Sequence, residues 1–375
     1  MISLVNKIKT ARQTALAVLE EVFSEGAYSN IALNQALLEA PLSSVDKGLV
    51  TEIVYGTVAR KITLEWYLSH VIENRDKLDS WLYILLLMSL YQIQYLDKIP
   101  AHAVVNEAVE LAKARKKGSE KFVNAVLRRL LRNGVADIGS IKRKNKRYSI
   151  QYSLPVWLVK VLIEEYGEKR ALAIFESLFL RNKASVRVVD LSRKEELKQL
   201  LQAEDSLLAP SALVKSHGHF AGHALFEEGA TTIQDESSQL VAPTLELRGD
   251  EKVLDACSAP GGKTMHIASY LTTGQVTALD LYEHKLALIK ENAQRLGVAD
   301  KVITKKLDAR KVFETFGADA FDKILVDAPC SGIGLIRRKP DIKYNKENAD
   351  FASLQKIQLE ILDSVCQSLR KGGII

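Results

Sequence analysis

A chain of 375 residues holds two or three domains at roughly 100–200 residues each. Its 47% hydrophobic and 26% charged content excludes a disordered or fibrous protein, and 3 cysteines, an odd number, exclude a disulfide scaffold. The densest apolar run, residues 81–90, is about half of what a membrane-spanning helix needs. Residues 1–22 are amphipathic with basic side chains spread through them, unlike a cleavable leader, so a cytoplasmic protein with reduced thiols and no membrane partner is expected. The net charge of +6 is unevenly placed. Residues 1–150 carry 22 Lys and Arg against 15 Asp and Glu, and residues 111–147 carry 13 basic side chains against only Glu120 and Asp137. Such a block attracts a polyanion, of which nucleic acid is the usual one, although a solvated helix face is the plainer alternative.

The first 135 residues read as helices. Segments 10–23, 30–39, 45–71, 80–96, 102–116 and 120–132 repeat apolar residues at i, i+3, i+4 and i+7. Ser44, Asp79 and Ser119 serve as start signals, and Gly26, Pro41, Pro100, Gly118 and Gly134 as breakers. No internal repeat suggests a solenoid. Residues 137–154 read as a linker, with KRKNKR at 142–147 supplying charge and little to bury. Helices are expected at 155–166, 169–180 and 193–202, with a strand at 184–189. The divisions are an all-helical domain over 1–140, a linker and small α+β subdomain over 141–230, and an α/β domain over 231–375.

That last part alternates strands at 252–257, 275–281, 301–309 and 323–330 with helices such as 284–296. The alternation predicts a parallel sheet covered on both faces, with ligands at the carboxyl ends of its strands. Each strand ends on or beside an aspartate: Asp255, Asp280, Asp308 and Asp327. One is an ordinary loop cap; four on one sheet edge outline a polar cleft.

The sharpest local signal is DACSAPGGKT, 255–264, which follows a strand and opens a helix, with Gly261 and Gly262 permitting close backbone approach. Gly262-Lys263-Thr264 matches the end of a phosphate-binding loop, and Asp327 imitates its magnesium-binding aspartate, but Cys257 stands where the first glycine belongs. The rival reading is a methyltransferase turn that wraps a nucleoside cofactor's amino-acid end. Asp280, 18 residues beyond the turn, is spaced to bond a ribose hydroxyl pair, and Asp308 can face an adenine edge. Together they favour S-adenosylmethionine over a nucleoside triphosphate. Asp327-Ala328-Pro329-Cys330-Ser331-Gly332 places a thiol just past the fourth strand. An ionised thiol adds to carbon 6 of a pyrimidine and makes carbon 5 nucleophilic, while Asp327 can stabilise protonation at ring nitrogen 3. Cys366, on an amphipathic helix at 355–369, is expected to be buried and inert. No Cys/His spacing suggests a metal site.

DACSAPGGKT, ALDL with Asp280, LDAR with Asp308 and VDAPCSGIG resemble the motifs of the RNA cytosine-5 methyltransferases, the Nol1/Nop2/Sun family. TTIQDESSQLVAP (231–243) and IRRKPDIKY (336–344) extend the resemblance, and KFVNAVLRRL (121–130) resembles the RNA-binding NusB-type module. The likeness covers essentially the whole chain. It implies a NusB-like helical domain, a small α+β subdomain and a Rossmann-like S-adenosylmethionine-dependent domain. The activity implied is methylation of carbon 5 of a cytosine in 16S ribosomal RNA through a covalent cysteine adduct. By the same resemblance Cys257, Ser258, Ala259, Pro260, Gly261, Gly262 and Lys263 hold the methionine end of the cofactor. Asp280 bonds the ribose, Asp308 the adenine side, and Asp327 sits between cofactor and base.

In that family the Pro-Cys cysteine, here Cys330, assists product release, and the attacking thiol lies in a Thr-Cys motif after the fifth strand. The chain ends at Gly372-Gly373-Ile374-Ile375, which reads as the start of that strand, and no Thr-Cys follows. A longer parent is therefore expected, and these 375 residues alone are expected to bind cofactor weakly without turnover. Lys113, Arg115, Lys116, Lys117, Lys121, Arg128, Arg129 and Arg132 are the expected phosphate contacts, with Arg337, Arg338 and Lys339 as a second basic group beside the cleft. Two other readings remain: an RNA-binding assembly module with an inactive catalytic domain, and a P-loop NTPase. Small-subunit ribosomal RNA is the expected partner, and no obligate protein partner is evident.

Overall fold

The computed structural model describes residues 10–180, 183–216, 220 and 223–375, with the backbone alone for residues 348–350. The opening of the segment read for a leader, residues 1–9, lies outside the described residues. No described helix is long and apolar enough to cross a membrane. Two compact units divide the chain: residues 1–180 with 332–348, and residues 181–331 with 349–375. The span 141–230 is thus shared: helices Lys144–Gln151, Val156–Tyr166 and Glu168–Ser177 fall in the first unit, and the strands with helices Lys194–Leu201 and Ala224–Glu227 fall in the second.

In the first unit, helices Ala11–Ser24, Ser29–Glu39, Ser44–Ala59, Lys61–Ser69, Ser80–Tyr95, Ala101–Arg115 and Ser119–Asn133 form one core. Helix Ser80–Tyr95 is buried on every side from Leu82 to Gln92, which makes it the central element. Gly56 lets it come close: a Cβ there would lie 1.9 Å from the Tyr91 ring. The single helix expected over 45–71 is two. Arg60 leaves helical geometry (φ −103°, ψ 9°), and its guanidinium stacks 3.3 Å from the Phe179 ring centre and 4.6 Å from that of Tyr95. Tertiary packing overrides a continuous helical pattern there.

The expected linker also differs. Lys144–Gln151 is a helix, because Ser149 and Ile150 have somewhere to bury and the Ile150 carbonyl accepts from Thr63. Helices Val156–Tyr166 and Glu168–Ser177 follow, packed around Leu158, Val159 and Phe175. The run 336–344 belongs to this unit as well. Lys343 Nζ donates to the Ala59 carbonyl (2.7 Å) and the Tyr344 hydroxyl to that of Val58 (2.8 Å), so both satisfy the carbonyl end of helix Ser44–Ala59. Burial pushes the Lys343 ammonium down to about 7.

The second unit contains two sheets. Strands β1 (Ala184–Val188), β2 (Glu204–Asp205), β3 (Ala212–Lys215) and β4 (Thr231–Ile233) pair antiparallel in the order β2-β3-β1-β4. Strands β5 (Lys252–Asp255), β6 (Gln275–Asp280), β7 (Val302–Lys306), β8 (Phe321–Leu325) and β9 (Leu369–Ile374) form a parallel sheet ordered β7-β6-β5-β8-β9. The order reverses at β5, since β6 lies on one side of it and β8 on the other. Open parallel sheets bind ligands in the crevice outside the carboxyl ends of the strands at such a reversal. Cys366, expected to be buried, is exposed at the end of helix Asn348–Cys366, because Ile361, Ser364 and Val365 take the inward face.

Candidate functional site

The carboxyl edge of the parallel sheet is built from strand ends and one glycine turn. Asp255 is the last residue of β5 and is buried; its Oδ2 accepts from Thr264 Oγ1 (2.7 Å). Burial pushes this carboxyl up to about 6, with the Asp327 charge adding to the effect and the Thr264 bond opposing it. The turn that follows is pinned at several points. Ser258 N–H donates to the Leu279 carbonyl (2.9 Å), Gly261 N–H to the Ser258 carbonyl (2.7 Å), and Asn292 Nδ2 to the Pro260 carbonyl (3.1 Å). Gly261 has φ +101°, a left-handed conformation that suits glycine, and helix Gly262–Tyr270 starts immediately after it. A Cβ built on Gly262 would meet nothing within 4 Å, so the helix start has open space beside it.

Cys257 reports how the rest converges. Its half-buried thiol is pushed up to about 12, first by burial and then by the charges of Asp255, Asp280, Asp327 and Asp308. All four strand-end aspartates therefore act on one point of the turn, and the Cys257 sulfur stays a neutral thiol. Asp280 accepts from Tyr282 N–H (3.0 Å), with Lys285 Nζ 3.9 Å from its other oxygen. Asp308 accepts from the Arg310 guanidinium (2.7 Å), and that contact leads the effects that hold its carboxyl below the usual range. Arg310 also reaches Glu360 at 3.2 Å. Asp327 forms an ion pair with Lys263. Cys330 is exposed, in a loop whose Pro329 carbonyl accepts from Gln358 Nε2 (2.8 Å).

The structure thus brings residues 257–263, Asp280, Asp308 and Asp327 to one edge of one sheet. Sequence reasoning missed that Asp255 is turned inward to hold the glycine turn, and that Arg310 occupies Asp308. The second was visible as the i, i+2 pair in LDAR. Among the described residues, no group of three or more His, Cys, Asp or Glu could hold a metal ion.

The expected phosphate contacts lie in the first unit, along helices Ala101–Arg115 and Ser119–Asn133 and the turn between them. Lys113, Arg115, Lys116, Lys117, Lys121, Arg128, Arg129 and Arg132 are all exposed. Two are not free cations. Arg115 makes a two-pronged ion pair with Glu20 (2.8 Å for one prong) and sits 4.7 Å over the Trp81 ring, and Lys116 Nζ is 2.7 Å from Asp79. Both carboxylates come from outside residues 111–147, the stretch whose basic excess pointed to a polyanion. Arg337 and Arg338 are exposed and Lys339 half-buried, on the segment 332–348 that belongs to the first unit rather than to the unit holding Cys330.

Comparison with known proteins gives two family matches: 16S rRNA methyltransferase RsmB/F over residues 242–375, and the NusB family over residues 9–132. The chain is 44% identical to the probable ribosomal RNA small subunit methyltransferase B of Bacillus subtilis, across 98% of this chain and 84% of that protein. Among solved structures, PH0851 aligns with a TM-score of 0.79 at 22% identity, across 100% of this chain and 86% of that one. NSun6 from Pyrococcus horikoshii, solved with SFG, aligns with a TM-score of 0.53 at 21% identity, across 59% of this chain and 82% of that one.

Proposed function

We propose, because this chain belongs to the 16S rRNA methyltransferase RsmB/F family, that it methylates carbon 5 of a cytosine in small-subunit ribosomal RNA, with S-adenosylmethionine as the methyl donor. The observation that carries the reading is the placement of Asp280, Asp308 and Asp327 beside the glycine turn 257–263 at the carboxyl edge of a parallel sheet whose order reverses at β5. A cofactor bearing a sulfonium, an ammonium and a ribose diol complements such a site. A triphosphate would bring its anions against the same carboxylates, which weighs against the P-loop reading.

When bound, the cofactor supplies an electrophilic methyl group. Asp280 accepts from the ribose hydroxyls. Asp308 takes the adenine side, kept ionised by Arg310. Residues 257–263 hold the methionine end, where the N–H groups at the start of helix Gly262–Tyr270, which no side chain caps, suit a carboxylate. Asp327 holds the proton at ring nitrogen 3 of the target base, and in the free protein Lys263 keeps that carboxylate paired. Cys330, exposed beside Asp327 in sequence, assists release of the methylated base. The Thr-Cys thiol that the family resemblance assigns to attack on carbon 6 has no counterpart among these 375 residues. The NusB-like helices hold the RNA by its phosphates, and the site of action is the cytoplasm.

Bisulfite sequencing of 16S ribosomal RNA from a strain lacking the gene tests the assignment. One cytosine losing its protection is the expected result; a change confined to a ring nitrogen or a ribose position would overturn it. Calorimetry of this chain with S-adenosylhomocysteine tests the site itself, and no binding would leave the RNA-binding module with an inactive domain.

A further inference from the structure

Helices Lys61–Ser69, Lys144–Gln151 and Val156–Tyr166 of the first unit enclose a groove of about 650 Å³, within the range of pre-formed ligand sites. Ile62 and Trp66, one helical turn apart, supply an apolar floor, and Val156 adds to it. Arg143, Lys146 and Lys160 supply the rim, and all three are exposed. Lys144, also in the wall, is taken up by Glu168 at 2.6 Å, and the Tyr148 hydroxyl takes the other oxygen of that carboxylate. No described carboxylate pairs with Arg143, Lys146 or Lys160, so three positive charges surround one half-buried indole.

The walls are held in place without a ligand. Ile62 N–H donates to Ser153 Oγ (2.9 Å), Thr63 Oγ1 donates to the Ile150 carbonyl, and the His70 ring packs edge-on against Trp66 at 4.5 Å. We propose that this groove binds an unpaired stretch of RNA, with one base stacked on Trp66 and flanking phosphates held by Arg143, Lys146 and Lys160. Single-stranded sites combine these two elements, because every base has a stackable face and every linkage a charge. A duplex hides its base faces, and an acidic peptide leaves the indole unused. The inference rests on the reading of the chain as an RNA methyltransferase and adds a contact in a unit separate from the chemistry.

Tryptophan fluorescence of the full chain tests it, with the Trp66→Phe protein reporting the signal of Trp81 and Trp157, to be subtracted. The probes are an unstructured RNA of roughly 12 nucleotides, a duplex of similar length, and a glutamate-rich peptide. The single strand is expected to quench fluorescence, and Trp66→Phe to abolish the quench while keeping an apolar ring in the groove. Trp66→Ala should weaken single-strand binding ~10-fold, the scale of one stacked base. Arg143→Ala with Lys146→Ala should lower the salt slope by about 1.4, at roughly 0.7 per single-strand phosphate contact, and leave duplex affinity unchanged. Quenching that survives Trp66→Phe, equal losses on the duplex, or the same quench from the peptide would each overturn the proposal. Because the rim residues are exposed, Lys160→Glu gives a second variant whose folding is not at stake. S-adenosylhomocysteine binding, read separately by calorimetry, reports on the methyltransferase reading and is not expected to change in any of these variants.

Discussion

The carboxyl edge of the parallel sheet and the basic face of the helical unit are both clusters of charge, and they behave differently. At the sheet edge each aspartate is delivered by the strand that ends there, so spacing along the chain translates directly into position. On helices Ala101–Arg115 and Ser119–Asn133 the charges are just as dense in sequence, yet Arg115 and Lys116 are matched by Glu20 and Asp79, 95 and 37 positions away. Residues carried on successive strand ends keep their common edge through folding, although Asp308 and Asp327 gain the partners Arg310 and Lys263 there and Asp255 turns inward. A charge count along a helix is a property of the stretch counted and changes when other helices pack beside it.

The largest test of that contrast is Asp280→Ala. Hydrogen bonds to a charged group are worth about 1.5–3 kcal/mol each, so losing the acceptor of a diol should weaken S-adenosylhomocysteine binding ~100-fold in calorimetry. Undiminished affinity would place the ribose elsewhere.

Asp255→Asn addresses the aspartate that faces inward. Its carboxyl titrates at about 6 in the folded protein, against roughly 3.9 when unfolded. The folded state therefore binds the proton more readily between about pH 4 and 6, and wild-type stability falls as pH rises through that window. Asparagine keeps the acceptor for Thr264 and carries no charge to bury. The variant should match the wild type below about pH 4 and gain on the order of 2–3 kcal/mol above pH 6, read from denaturant midpoints. A difference constant with pH would mean that Asp255 is not the group responsible.

On the helical unit, two double variants sharpen the comparison. Arg128→Ala with Arg129→Ala should reduce RNA affinity and lower the salt slope by about 1.4–1.8, at roughly 0.7–0.9 per phosphate contact, with cofactor binding unchanged. Arg115→Ala with Lys116→Ala should change the slope by less than half as much, because both cations already have partners, and should cost about 1 kcal/mol of stability or less. Equal slopes for the two pairs would show that RNA displaces the ion pairs. The smallest effect concerns reactivity. Iodoacetamide near neutral pH should label the exposed Cys330 and Cys366 and spare Cys257, whose thiol is held up at about 12. Peptide mapping of the labelled protein reads the outcome directly.

Much of this was legible in the residues alone. Apolar periodicity marked out the N-terminal helices, and β-branched runs ending in Asp255, Asp280, Asp308 and Asp327 marked a parallel sheet and its working edge. These features are local: a helix face repeats every 3.6 residues, and a strand ends where its own sequence ends it. Packing decided the rest. Arg60 divides one helical pattern into two because its guanidinium lies over the rings of Tyr95 and Phe179. The run 142–147 enters a helix because Thr63, 87 positions before Ile150, bonds that residue's carbonyl. Cys366 stays at the surface because Ile361 and Val365 take the inward face of its helix. Asp255 turns inward to Thr264 while Asp280, with the same strand-end signature, accepts from the Tyr282 N–H just beyond its own strand. A breaking point, a burial and the worth of a charge each depend on atoms brought near by other parts of the chain, and only the folded structure determines which atoms those are.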